Sequence, residues 1–239
     1  MVYNFIKRIE SNYDLRALIP FDGETYKNTL LKDLSLVRQF LINFSSSLLD
    51  VGCGMGWHLE YLYKSGYTNL TGIDLSKLSL KKFRERLNTR NIKLINGDFF
   101  NYNEPNRFDC IINFHSCLGQ FGISGNRTFI KKLFNTLNNK GYLILTVFTK
   151  NKTHRLLGNF EVKYSKQSDI TVHSTLTFND KNDILKNTQT FLNKTLKEEI
   201  KVYDETEIVA LLTKVGFKTV DVIQEHSDYC SVFVVQKRI

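Results

Sequence analysis

Long apolar runs are missing from this sequence. Nowhere does it reach the roughly 18 to 20 consecutive apolar residues that a membrane span needs, and the opening MVYNFIKRIE has no secretory h-region. A cytoplasmic chain with no membrane partner is expected. Cysteine is scarce: Cys53, Cys110, Cys117 and Cys230 include no C-x-x-C pair and lie in apolar stretches. That pattern argues against a zinc cluster or a disulfide framework and for buried, reduced thiols. His58, His154, His173 and His226 show no H-E-x-x-H or related ligand spacing, so no metal is expected. Arginine blocks, RGG-like tracts, internal repeats and low-complexity segments are also lacking.

What is there is the composition of a globular protein. Of 239 residues, 42% are hydrophobic, 13% aromatic and 24% charged, enough to bury a substantial core. The length suits one α/β domain with an insertion. The net charge of +9 arises from 33 Lys and Arg against 24 Asp and Glu. Basic residues are spread over 77–90, 127–140 and 150–166, as on a solvated surface, so no specific nucleic-acid partner is expected.

Periodicity assigns the elements. Leu30, Leu31, Leu34, Val37 and Leu41 recur at helical spacing behind the polar opening Thr25 to Asn28. From Leu48 onward the short apolar runs LLDV, LTGID, IKLI, FDCIINF and YLILTVF alternate with helical segments, the signature of βαβ units and a parallel sheet. Leu80, Phe83 and Leu87 mark one helix face, and Phe129, Ile130, Leu133, Phe134 and Leu137 another. Asp204 and Glu207 resemble a capping box before the stripe Ile208, Leu211, Leu212 and Val215, with Gly216 as a left-handed stop. FKTVDVI and YCSVFVVQ then suit an antiparallel hairpin ending the sheet. Between Phe160 and Tyr203, the segments EVKYS, ITVHSTLTF and TQTFLN alternate apolar and polar residues around a turn at 179–183, which predicts a small inserted antiparallel sheet. The expected organisation is a lid and helix over 1–45, a core over 46–150, a β cap over 151–203, and a closing helix and hairpin over 204–239.

Chemistry concentrates where the first buried strand ends. Asp50 is followed by Gly52, Gly54 and Gly56, which let the backbone turn sharply and let a ligand approach where a Cβ would collide. The spacing departs from the dinucleotide fingerprint G-x-G-x-x-G because Trp57 occupies the place of its last glycine, and no G-K-[ST] follows to make a P-loop. About twenty residues on, Asp74 ends the second strand where an open α/β sheet presents a carboxylate to ribose hydroxyls. Taken alone, it could equally cap the helix that starts near Ser76. Asp98, after IKLI, could accept from an adenine amino group with Phe99 near the ring, or simply form a turn.

Together these residues resemble the class I S-adenosylmethionine-dependent methyltransferases of small-molecule N- or O-methyltransferase type. The likeness runs from about Leu48 to Val147: D-x-G-x-G-x-G is carried by Asp50, Gly52, Gly54 and Gly56, the ribose acid by Asp74 and the adenine acid by Asp98. It implies a Rossmann-like α/β fold, a seven-stranded and mostly parallel sheet with helices on both faces and an antiparallel last strand. It implies S-adenosylmethionine as cofactor and S-adenosylhomocysteine as product, with contacts from Asp50, Gly52, Cys53, Gly54, Gly56, Asp74, Leu75, Asp98, Phe99 and Asn113. Asn113 and Phe114 would end the fourth strand beside the transferable methyl group.

Within that family, nucleic-acid enzymes often carry [ND]-P-P-[YF] after the fourth strand, whereas this chain reads Asn113-Phe114-His115-Ser116. Its only prolines are Pro20 and Pro105, so the Pro-Cys pair of cytosine-C5 enzymes is missing as well. The stretch Phe114 to Phe121 is loosely similar to the Ser-x-Gly-aromatic segment of small-molecule methyltransferases, including sugar-amine N-methyltransferases, with one extra residue between Ser116 and Gly119. His115 is the candidate catalytic base. A pocket wall is its alternative, since alignment alone can drive methyl transfer. Tyr13, Arg16 and Tyr26 precede the first helix where related enzymes place a lid, and with Phe114 and Ser116 they are the candidate substrate contacts. The cap is similar to those that roof the pocket or join subunits, which allows a homodimer. Methyl transfer to a nitrogen or oxygen of a small-molecule acceptor is the expected activity. The alternatives are an RNA or protein methyltransferase and a non-catalytic S-adenosylmethionine-binding protein.

Overall fold

The computed structural model describes residues 13–15, 17–18, 23–41, 43–115, 118–153, 157–164, 170–224, 226 and 230–238, with the backbone alone at 23–26, 159–164 and 170. A first helix, α1 (Gly23–Phe40), precedes an alternation of strands and helices: β1 (Leu48–Val51), α2 (Trp57–Lys64), β2 (Leu70–Asp74), α3 (Lys77–Leu87), β3 (Lys93–Asn96), β4 (Phe108–Asn113), α4 (Gly122–Thr136) and β5 (Leu137–Phe148). Four strands follow, β6 (Gly158–Tyr164), β7 (Ile170–Asn179), β8 (Ile184–Phe191) and β9 (Lys194–Lys201). The chain then closes with α5 (Glu205–Val215), β10 (Phe217–Ile223) and β11 (Cys230–Lys237).

Seven strands form the main sheet in the order β10-β11-β5-β4-β1-β2-β3, and β11 alone runs against the rest. Period-2 alternation divides its side chains between two cores. Leu49, Ile111, Leu143, Leu145 and Phe233 pack against α4 and α5 through Phe129, Leu133, Ile208 and Leu212. Leu48, Ile112, Ile144 and Val232 point the other way, onto Leu34 and Val37 of α1, Leu59 and Leu62 of α2, and Phe83 of α3. Burial on both faces is why these strands read as unbroken apolar runs. The order of strand addition reverses between β1, which continues to β2 and β3, and β4, which lies parallel on its other side. A crevice opens at such a switch point beyond the carboxyl ends of the strands. Asp50 of β1 is there in register with Gly72 of β2 and Ile112 of β4.

The second sheet, β6-β7-β8-β9, is an antiparallel meander. Its two ends meet: Thr149 bridges Tyr203, and the Lys150 N–H donates to the Tyr203 carbonyl across 3.1 Å. Lys150 and Lys201 converge on Asp183 at 3.1 and 2.7 Å, fastening the meander near that junction.

Three details differ from the periodicity reading. Leu31 is 46% exposed, so the buried stripe of α1 is Leu30, Leu34 and Val37 without it. Leu137 is the first residue of β5, paired with Phe108, rather than the end of a helix face. It is fully buried in either geometry, so hydrophobic spacing alone cannot place that boundary. The fourth cap strand, β9, gave no distinct signal in the sequence. The capping box at Asp204 and Glu207 and the left-handed Gly216 occur as read. Cys53, Cys110 and Cys230 are buried, while Cys117 lies outside the described residues. Among the described residues, no helix is long and apolar enough to cross a membrane.

Candidate active site

The glycine loop is held against β2 by its own backbone. Gly52 and Cys53 N–H groups both donate to the Ile73 carbonyl, and the Gly54 N–H donates to Asp74 Oδ2 at 2.7 Å. Gly54 and Gly56 have φ of 52° and 68°, the left-handed region that glycine enters without a Cβ penalty. They need glycine for different reasons. A Cβ on Gly56 would stand 2.2 Å from the Phe83 ring, so this glycine lets α3 pack against the loop. A Cβ on Gly54 would meet nothing within 4 Å: this position borders open space.

At the ends of β1 and β4, two buried oxygens have no hydrogen-bond partner among the described residues. They are Asp50 Oδ2 and Asn113 Oδ1. Asn113 spends its amide on the Val51 carbonyl, 2.8 Å away, which leaves its oxygen turned elsewhere. Burial pushes the Asp50 carboxyl up to about 7, reinforced by Asp74 and Asp33 and opposed by His58. An unpaired buried acceptor costs free energy on the order of 1–3 kcal/mol. A cationic N–H donor entering the crevice could satisfy such an acceptor, and the α-ammonium of S-adenosylmethionine is such a group.

Asp74 is nearly enclosed. Its Oδ1 accepts from the Ser76 N–H at 2.7 Å, and burial raises its carboxyl above the usual range even though the Ser76 and Gly54 donors oppose it. The cap of α3 is Ser76, which accepts from the Ser79 N–H, so Asp74 is left as a strand-end acid. Leu75 is half-buried beside it. Asp98 accepts from the Phe100 N–H at 2.9 Å in a short turn, and it is half-buried. Phe99 packs edge-on to Phe129 in the core, with 6% of its surface exposed.

Beyond β4, Phe114 is buried and stacks on the His58 ring at 4.8 Å. His115 is exposed and adopts φ 62°, uncommon for a side-chain-bearing residue. Asn126, fully buried on α4, accepts from the Gly119 and Phe121 N–H groups and donates to the Tyr203 hydroxyl, shaping the loop after β4. No local sequence pattern singles out Asn126.

A short stretch of the N-terminal segment lies across this end of the sheet. The Tyr13 hydroxyl bonds Gln120 of the β4–α4 loop, and Asp14 accepts from Ser76 Oγ and the Leu78 N–H at the start of α3. Leu15 and Leu18 pack on Val172, Phe191 and Leu196 of the second sheet. Tyr13 is thus brought together with the strand ends. Arg16, Ser116 and the Tyr26 side chain lie outside the described residues, and Tyr26 has its backbone in α1.

Residues 48–141 match the family model of a methyltransferase domain. The matched stretch is similar to the class I S-adenosylmethionine-dependent methyltransferases. Over 138 residues it is 30% identical to human EEF1A lysine methyltransferase 2, spanning 52% of this chain and 55% of that protein. A 75-residue stretch is 35% identical to the dTDP-3-amino-3,4,6-trideoxy-alpha-D-glucopyranose N,N-dimethyltransferase of Streptomyces venezuelae, spanning 31% of this chain and 30% of that one. The chain therefore spans about half, or less, of the length of the curated relatives it matches. The fold of an S-adenosylmethionine-dependent methyltransferase from Clostridium acetobutylicum superposes with a TM-score of 0.73 at 20% identity, covering 100% of both chains.

Proposed function

We propose that this protein transfers a methyl group from S-adenosylmethionine to a nitrogen or oxygen of a small-molecule acceptor. The observation that supports the small-molecule reading is the partial roof: Tyr13 bonds Gln120, Asp14 bonds Ser76, and Leu15 and Leu18 pack on the second sheet, so these residues reach over the strand ends. A partly roofed crevice suits a compact acceptor better than a folded protein or an RNA duplex. The likeness to a sugar N,N-dimethyltransferase of Streptomyces venezuelae supports the same reading.

When bound, the cofactor supplies an activated methyl group on a sulfonium. Asp50 and Asn113 would accept from its ammonium, Asp74 from the ribose hydroxyls, Asp98 from the adenine amino group, and the Gly52 to Gly56 backbone would give it room. Holding acceptor and methyl in line can supply about 7–11 kcal/mol of the barrier. His115, exposed beside Phe114, takes the proton that the acceptor loses. A metabolite panel rich in amino sugars and amines, read by S-adenosylhomocysteine release, tests this. Turnover on a small amine or alcohol is the expected result.

A protein lysine is the second reading, favoured by the 30% identity to human EEF1A lysine methyltransferase 2. Methyl incorporation into a lysine of EEF1A, with none into the panel, would put it first.

A further inference from the structure

Asp33 belongs to α1, outside the glycine loop and strand ends, and is 1% exposed. Two histidines from distant parts of the chain meet on it. His58 Nε2 is 2.9 Å from Oδ2, and His226 Nε2, from the connection between β10 and β11, is 2.6 Å from Oδ1. Burial works to raise the Asp33 carboxyl, but the bonds from His226 and His58 and the charges of His58 and His115 together carry it below the usual value. It is therefore an anion, and a carboxylate only accepts. Both rings must present Nε2–H to it, which fixes their tautomers.

This buried anion touches the methyl-transfer end of the sheet. His58 stacks on Phe114, its ring plane tilted by 19°, and the His115 ring centroid is 5.8 Å from that of His58. Ligand-type atoms of Asp33, His58 and His115 all lie within 4.8 Å of one another. His115 is therefore close enough to the Asp33–His58 pair to meet it directly or through one water. Among the described residues, the titratable groups facing the cluster include Asp50 from β1, His58 from α2, His115 after β4 and His226 before β11.

We propose that Asp33, braced by His58 and His226, is a positioning residue for His115: its charge orients the ring and steadies the imidazolium formed when His115 takes the acceptor's proton. This rests on the reading of His115 as the base. In that step the acceptor's lone pair forms the bond to the methyl carbon, and the carbon–sulfur bond breaks with its electrons kept by sulfur. The acceptor's proton passes to the His115 ring, whose exposed edge returns it to solvent. The positive charge that arrives on sulfur thus leaves as a proton, and an enclosed anion nearby favours its passage.

Nuclear magnetic resonance and kinetics on the full chain test the proposal. In the wild-type protein, ring nitrogen spectra should show His58 and His226 protonated at Nε2; a neutral Nδ1–H tautomer at either would overturn it. Asp33→Asn should move the His115 titration midpoint down by at least about half a pH unit, since the nearby anion is gone. The same variant should lower kcat roughly tenfold or more and shift the acid limb of the rate profile the same way, with both KM values within about twofold. Added to His115→Ala, it should cause no further loss, because the two residues act through one step. An additional loss of similar size, an unmoved midpoint, or stoichiometric zinc in the purified protein would overturn the coupling. An intact kcat in His115→Ala alone would remove the base assignment itself. The His115 midpoint tells the two failures apart, because it needs no turnover.

Discussion

Asn126 Nδ2 donates to the Tyr203 hydroxyl across 2.8 Å, so a single buried amide joins the loop after β4 to the returning end of the cap. Its oxygen takes the Gly119 and Phe121 N–H groups at 3.0 and 3.3 Å. Asn126→Ala leaves three polar groups without this partner. A loss of about 2–3 kcal/mol is expected, or roughly 4–12 °C in Tm for a chain of this size. Thermal denaturation checks the magnitude, and a rise in acceptor KM larger than any rise in cofactor Kd checks the placement.

On the proposed reading, Asp50 links pH to cofactor affinity. Its folded carboxyl is pushed up to about 7 against an ordinary value of 3.8, so its favourable contribution is present below that ordinary value and lost as pH rises through 7. Asp50→Asn should therefore raise the Tm of the ligand-free protein at pH 8, with the gain shrinking toward pH 5. Binding runs in the opposite sense, because an ammonium prefers the ionised acid. Calorimetry from pH 5.5 to 8.5 should show S-adenosylhomocysteine binding tighten through pH 7 in the wild type and stay weak and flat in the variant.

Gly54→Ala and Gly56→Ala should separate binding from stability. Both force alanine into left-handed backbone, at about 1–2 kcal/mol each. Only Gly56→Ala also drives a methyl group into Phe83. It should lose markedly more Tm, while Gly54→Ala should lose mainly affinity for S-adenosylhomocysteine. Equal loss of Tm in the two variants would contradict this division.

His115→Ala should lower kcat by about 10² to 10⁴-fold and leave cofactor Kd nearly unchanged. The deficit should shrink as pH rises, since a basic solution deprotonates the acceptor unaided. Rate profiles from pH 6 to 9, under conditions where methyl transfer limits turnover, measure this.

The sheet and its glycine loop were legible because their signals are local. Apolar runs buried on both faces, glycines at alternate positions and a capping box each declare themselves within a few residues. The β8–β9 hairpin was not legible for the opposite reason. Its two-residue turn is Leu192-Asn193, with φ of 45° and 56°, where glycine or asparagine is the usual occupant. Leucine in that position masks the turn. Asp33 and His226 stand 193 residues apart, and nothing near either marks the other as a partner. His58 could be inspected in the sequence only for ligand spacing, yet its setting is made by α1 and by the connection to the last strand.

The junction at Thr149 and Tyr203 makes the second sheet a detour whose exit and return share one gate. None of the seven main strands is interrupted by it, and the acids at their ends are set before the chain departs or belong to neighbouring strands. On the proposed reading, a lineage could therefore trade one detour for another and alter the shape pressed over the acceptor while inheriting the cofactor crevice unchanged. Beside the Asn126–Tyr203 bond, one tether is the backbone bond from the Lys201 N–H to the Gly119 carbonyl, 2.8 Å, which asks for glycine on one side and no particular side chain on the other. Selectivity for acceptors can drift in such an architecture without renegotiating the chemistry beneath it.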